Sequence, residues 1–264
     1  MAPKGSIMPK SRPVQSCAAR ILAGGSAKLP SRGAARAGEG MPVNSNAGTI
    51  FVINPNSSEK VTEGIDRAVD PLRIPGGPRI ECLTLKEGPP GIETQRDVDG
   101  VVMPLLGLIG ELERRADAYV IACFSDPGMH AAREATHKPV FGIMESGILT
   151  ALTLGQRFAM ISILPGSVAR HLRAVGAMGL ADRCAGDLAV GLGVAELADA
   201  EKTLARMIEV GTTLRDDNGA NVLVMGCAGM AQYRDELENA VGIPVVEPTQ
   251  AATAMAIGRV RLGW

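Results

Sequence analysis

Two stretches of this chain share one grammar. In Ala118–Ala132, AYVIACFSDPGMHAA, the apolar run Tyr119–Ala122 reads as a buried strand that stops at Cys123. Asp126-Pro127-Gly128 is turn chemistry, and a helical pattern begins at Met129. In Asn221–Met230, NVLVMGCAGM, an apolar run again ends at a cysteine, Cys227. Each stretch sets a thiol at the carboxyl end of a strand, beside the amino end of a helix. Open α/β sheets place ligands there, and the helix dipole favours a thiolate.

The repetition extends beyond the cysteines. Thr49–Ile53 is a strand suited to a parallel sheet, and Asn54-Pro55-Asn56-Ser57-Ser58 leads into a helix over 59–69 with Ser57 or Ser58 as N-cap. Arg157–Ile163 repeats that strand, with Leu164-Pro165-Gly166-Ser167 and a helix through Arg173. Arg79–Thr84 and Asp187–Val190 read as further strands, and Lys86–Ile92, KEGPPGI, as a loop of the kind that borders a cleft. The spacing predicts a long helix over 98–116, with Pro104 in or near its first turns, and another over 198–214. After each cysteine comes a Pro-Val strand and a helix, at 138–154 and again at 242–258. This is duplication of one α/β unit, and it predicts two pseudo-symmetric parallel-sheet domains whose strand ends line a shared cleft, with one cysteine from each.

Composition removes several alternatives. The 264-residue chain has a net charge of −1 and carries one Trp, two Tyr and four Phe, so neither a basic field nor a stacking platform points to nucleic acid or a membrane surface. No apolar run approaches the ~20 residues of a membrane span. The five cysteines are an odd number without a CxxC pair or secretion signal, which fits free thiols in a reducing cytoplasm. Residues 1–47, rich in Ala, Gly, Ser, Pro, Lys and Arg, read as a disordered extension; an over-long start before Met41 and a transit peptide are the other readings. Cys17 lies in this stretch and is expected to be idle.

Two thiols facing one another across a ligand can invert a carbon acidified by a carbonyl. One acts as thiolate base and the other as thiol acid, and they exchange roles with direction. A free cysteine has a pKa of about 8.5, so its surroundings must tune it towards the working pH. Charge developing on the substrate carbonyl needs donors, which backbone N–H groups after each cysteine, Ser125 and Asn54 are placed to give. The scheme needs neither metal nor pyridoxal group, and no cofactor is expected.

At this point the residues resemble a known family. INPNSS at Ile53–Ser58, ACFSDPG at Ala122–Gly128, GIMES at Gly142–Ser146 and MGCAGM at Met225–Met230 are similar to motifs of the aspartate/glutamate/hydantoin racemase superfamily, nearest its hydantoin and allantoin racemase branch. The resemblance covers about residues 49–264. It implies a cofactor-independent two-thiol racemase acting on a small molecule, with Cys123 and Cys227 as the acid–base pair and Asn54 as a substrate-binding residue. It also implies that the final helix returns to the first domain, giving 48–146 with 248–264 and 147–247 as the two domains. Ser125, Phe124, Ala228, Gly229 and Ser146 complete the expected substrate site, and a homo-oligomer is expected. Phe124-Ser125 and Ala228-Gly229 replace the Asn-Thr and Thr-His that usually follow the cysteines of amino-acid racemases, which favours a hydantoin-like cyclic amide. The two cysteines count against an arylmalonate-type decarboxylase, which keeps only the second; maleate isomerases keep both.

Plainer accounts stand beside these. A strand-end cysteine is usually a small buried hydrophobe. Asn54 and Asn56 are also common turn residues, and Ser146 also suits a helix cap. Glu145 and Glu247 hold matching places that either line the cleft or favour helix amino ends. His130, His137 and His171 read as surface or packing residues, and Cys82 and Cys184 as structural. Outside racemases, a thiol redox switch or a plain binding module fits the same pair, and maleate isomerase or amino-acid racemase chemistry fits the same motifs.

Overall fold

The computed structural model describes residues 48–263; the expectations for residues 1–47 lie outside it. Parallel strands β1 (Thr49–Asn54), β2 (Arg79–Thr84), β3 (Ala118–Ile121) and β4 (Val140–Gly142) form one sheet in the order β2-β1-β3-β4. Strands β5 (Phe158–Ser162), β6 (Cys184–Ala189), β7 (Val222–Met225) and β8 (Val245–Val246) form a second in the order β6-β5-β7-β8. Strand for strand the two orders are the same, and two pseudo-symmetric α/β domains result.

Side chains alternate across each strand, and both sheets use this alternation alike. Ile50 and Val52 of β1, Val120 of β3, Phe158 and Met160 of β5, and Val222 and Val224 of β7 point into one core shared by the two sheets. Their neighbours Phe51, Ile53, Tyr119 and Ile121 face the outer core of the first domain. Ala159, Ile161, Leu223 and Met225 face that of the second. Strands buried on both sides explain the unbroken apolar runs in the sequence. Helices α5 (Ile143–Leu154) and α9 (Pro248–Leu262) fill the shared core between the sheets. Helix α9 packs on α5 and on β1, β3 and β4 of the first sheet.

Helix boundaries follow local chemistry. Ser58 caps α1 (Glu59–Ala68) by accepting the Val61 N–H. The long helix expected over 98–116 is instead α2 (Gln95–Gly100) and α3 (Val102–Leu112), joined at Val101. Pro104 has no N–H to give the Gly100 carbonyl four residues back, and its ring crowds that oxygen, so α2 ends there. The remaining helices are α4 (Met129–Ala135), α6 (Pro165–Ala177), α7 (Ala200–Asp216) and α8 (Arg234–Val241). Among the described residues no helix is long and apolar enough to cross a membrane.

Candidate active site

The carboxyl ends of β3 and β7 carry the two cysteines into one cavity. It is lined by Cys123, Phe124 and Ser125 from the first domain and by Cys227, Ala228 and Gly229 from the second. Each thiol is placed by a fixed turn. After Cys123 the Asp126 N–H donates to the Cys123 carbonyl at 3.0 Å, and Asp126 takes a left-handed φ of 43°. The Asp126 carboxylate then accepts the N–H groups of Met144 and Glu145 at 2.9 and 2.8 Å, tying the loop to the start of α5. A Cβ at Gly142 would fall within 2.2 Å of that carboxyl group, which explains the glycine there. After β7, Gly226 donates to the Ile161 carbonyl at 2.8 Å, and a Cβ at 226 would meet that oxygen at 2.5 Å. Beyond Cys227 a 3-10 turn, Ala228–Tyr233, precedes α8 where a helix was expected to follow directly.

The electrostatics are as symmetric as the fold. Burial pushes the Cys123 thiol up to about 12; the Ser125 backbone N–H opposes the rise, nearby Cys227 and Asp126 add to it, and the Arg170 guanidinium lowers it. Burial likewise pushes Cys227 up to about 11, opposed by the Gly229 N–H and reinforced by the charges of Glu93 and Glu247. In both halves the amide two residues past the sulfur faces it. Each thiol is thus held neutral by its loss of solvation, with one backbone donor ready for the thiolate.

The helix that follows β5 contributes cavity residues that the sequence reading did not assign to the site. Ser167, Arg170 and His171 of α6, spaced i, i+3 and i+4, share the face that borders the cavity. Arg170 donates to the carbonyls of Gly166 and Glu93 and to Ser167 Oγ, while its buried Nε has no partner among the described residues. His171 is 2 % exposed and meets Phe124 edge to face, with ring centroids 5.2 Å apart. It packs, as expected, but it also lines the cavity and so is more than a packing residue. His130 and His137 are exposed. The i, i+3, i+4 pattern at the end of a repeated strand was the available signal.

Other expected site residues fall elsewhere. Asn54 is buried, its amide bonds Asn56, the Ser58 carbonyl and Thr62, and it does not line the cavity; Asn56 does. Ser146 is 1 % exposed in the first turn of α5 and also lies outside the lining. Glu145 pairs with Arg133 at 2.6 Å, and Glu247 caps α9 by accepting the N–H groups of Thr249 and Gln250. The helix-end account of these two acids therefore stands over the cleft-lining one. Cys82 and Cys184 pack against the shared core. Among the described residues no three His, Cys, Asp or Glu side chains are grouped as a metal would need.

The family model "Asp/Glu/Hydantoin racemase" matches residues 50–256. A hydantoin racemase of Pseudomonas sp. (strain NS671) is 34% identical over 219 residues, covering 81% of this chain and 86% of that protein. The allantoin racemase from Klebsiella pneumoniae superposes with a TM-score of 0.75 at 33% identity, covering 82% of this chain and 89% of the other. The allantoin racemase from Pseudomonas fluorescens gives a TM-score of 0.78 at 27% identity, over 81% and 92% of the two chains. With its doubled sheet, its paired strand-end cysteines and these relatives, the chain belongs to the Asp/Glu/hydantoin racemase family.

Proposed function

We propose that this protein is a cofactor-independent racemase of a hydantoin-like cyclic amide, a 5-substituted hydantoin or allantoin. The observation that carries the reading is the meeting of Cys123 and Cys227, from equivalent strand ends of two domains, in one cavity. One cysteine, as thiolate, removes the proton from the ring carbon next to the carbonyl and becomes a thiol. The electron pair moves into the ring as an enolate. The other cysteine, as thiol, delivers its proton to the opposite face and is left as thiolate, so each turnover exchanges their protonation states. Ser125 N–H and Gly229 N–H stabilise whichever sulfur is charged. Arg170 supplies positive charge beside Cys123 in the same cavity, which favours the negative enolate.

The cyclic-amide substrate is supported by the hydantoin and allantoin racemases among the relatives. A wider, mostly apolar cavity adjoins the thiol cavity, sharing Val61, Val194, Ala228 and Gly229, and gives a 5-substituent room. A cytoplasmic location and a homo-oligomer complete the reading. The test is to incubate an enantiopure 5-substituted hydantoin in D2O and follow optical rotation and loss of the α-proton. Wild-type enzyme loses both signals together; full activity retained in both Cys123→Ala and Cys227→Ala would sink the two-thiol scheme. A panel of allantoin, aspartate and maleate tests the substrate, and turnover of maleate alone would overturn it.

A further inference from the structure

Beside the two thiols stands a buried polar trio that the two-thiol reaction does not use. Asp187 on β6, Ser162 at the end of β5 and His171 on α6 bond one another. Ser162 Oγ–H donates to Asp187 Oδ1 at 2.5 Å, and His171 Nδ1 lies 2.9 Å from both Asp187 Oδ2 and Ser162 Oγ. The side chains of His171 and Asp187 are 3% and 0% exposed. Carboxylate oxygens only accept, and the Ser162 proton is already given to Asp187, so the ring proton sits on Nδ1. In the neutral imidazole this leaves Nε2 with a bare lone pair. It has no partner among the described residues, and its ring borders the cavity that holds Cys123 and Cys227.

We infer that His171 is a specificity-determining residue whose Nε2 accepts a hydrogen bond from a ring N–H of a cyclic diamide substrate, orienting the ring between the thiols. This rests on the racemase reading above. An acceptor fixed in place by Asp187 and Ser162 rewards a ligand that offers an N–H and leaves a dicarboxylate facing a lone pair. A site built to bond a substrate N–H rejects analogues that lack it, because the site's own buried group is then unpaired. Phe124, packed edge to face on the imidazole, holds the ring in that plane.

The experiment measures calorimetric binding of unsubstituted hydantoin, 1-methylhydantoin and 3-methylhydantoin to wild type, His171→Asn and His171→Gln. Racemisation of a 5-substituted hydantoin is followed alongside. Asn can keep the bond to Asp187 but withdraws the acceptor from the cavity; Gln can place an amide oxygen near the Nε2 position. Wild type should bind hydantoin roughly tenfold or more tightly than one of the two N-methyl forms, and His171→Asn should lose most of that preference. In racemisation His171→Asn should raise KM about tenfold with a much smaller change in kcat, and His171→Gln should recover part of it. An unchanged preference in a folded His171→Asn protein overturns the assignment. If His171→Asn does not fold, the wild-type series decides: equal affinity for all three ligands overturns it, and selective loss with one supports it. Wild-type binding with the same N–H preference but without racemisation sinks the racemase reading and leaves the acceptor in place.

Discussion

Glu93 Oε1 accepts the backbone N–H of Val194 at 2.9 Å, joining a loop of the first domain to a loop of the second at the mouth of the thiol cavity. Arg170 reaches the Glu93 carbonyl at 3.2 Å, and Arg173 reaches Gln95 Oε1 at 2.8 Å, so the segment 93–95 clasps the second domain at three points. Glu93 also holds the Cys227 thiol up by its charge. Two substitutions separate these roles. Glu93→Ala removes one bridging hydrogen bond, worth about 1 kcal/mol, and should raise KM by about threefold to tenfold. Glu93→Gln keeps an acceptor for Val194 but loses the charge, so KM should hold while the rising limb of the rate profile moves to lower pH. Both variants lose the charge and should share the pH shift, so steady-state kinetics across pH checks this; an unmoved profile in Glu93→Gln, or equal KM values for the two, would contradict it.

The pH profile of the wild type follows from the thiols themselves. With Cys227 raised to about 11 and Cys123 to about 12, the active thiolate is scarce at neutral pH. Raising the pH restores it, so kcat/KM should climb about tenfold per pH unit from 7 towards 10. A sulfur whose folded pKa is raised keeps its proton where the unfolded chain has lost it. Stability should therefore fall as pH rises from about 9, the ordinary value, through the folded values near 11 and 12. Rates and melting temperatures measured over the same buffers test both signs; a flat rate profile between pH 7 and 9 would refute the first.

Gly226 sets where Cys227 stands. A Cβ at 226 would lie 2.5 Å from the Ile161 carbonyl oxygen, a backbone atom held in the sheet, so the β7 end must shift to admit it. Gly226→Ala should cost about 1–3 kcal/mol and lower Tm by roughly 2–10 °C, with most of the activity lost. Gly258 of α9 has open space around it, and Gly258→Ala should leave activity intact while adding about 0.5–1 kcal/mol. Calorimetry and racemisation assays on the pair decide it; a Gly226→Ala enzyme with wild-type activity would show that the close approach is not needed.

The doubled architecture was legible because duplication writes itself into order. Each strand ending in cysteine, each Pro turn and each closing helix recurs, and the two strand orders answer one another. The thiol loops were legible for the same reason. His171 was not, because its meaning comes from Asp187 on the neighbouring strand and Phe124 in the other domain, and no spacing rule links them. The break at Val101 was hidden because Pro104 acts four residues back on an otherwise continuous apolar pattern. Arg170 sat unnoticed in a helix read only for its start and stop.

Asn54 carries the sharpest contrast between resemblance and geometry. Its Nδ2 shares two protons among Asn56 Oδ1, the Ser58 carbonyl and Thr62 Oγ1 at 3.0, 3.1 and 3.0 Å, and its Oδ1 accepts the Asn56 N–H at 3.2 Å. The amide protons are committed to these neighbours, and the side chain holds Asn56, which does face the cavity. Asn54→Ala leaves several buried groups without partners and should cost about 2–4 kcal/mol, read as an earlier urea midpoint at unchanged slope. Asn54→Asp keeps the acceptor, loses the donors and should be at least as damaging. Activity lost in either variant should return in part on cooling or with ligand added before assay, since the site's own groups are intact. A direct substrate contact would behave otherwise: Asn54→Ala would melt like wild type and raise KM tenfold or more, and that result would move Asn54 from scaffold to binding site.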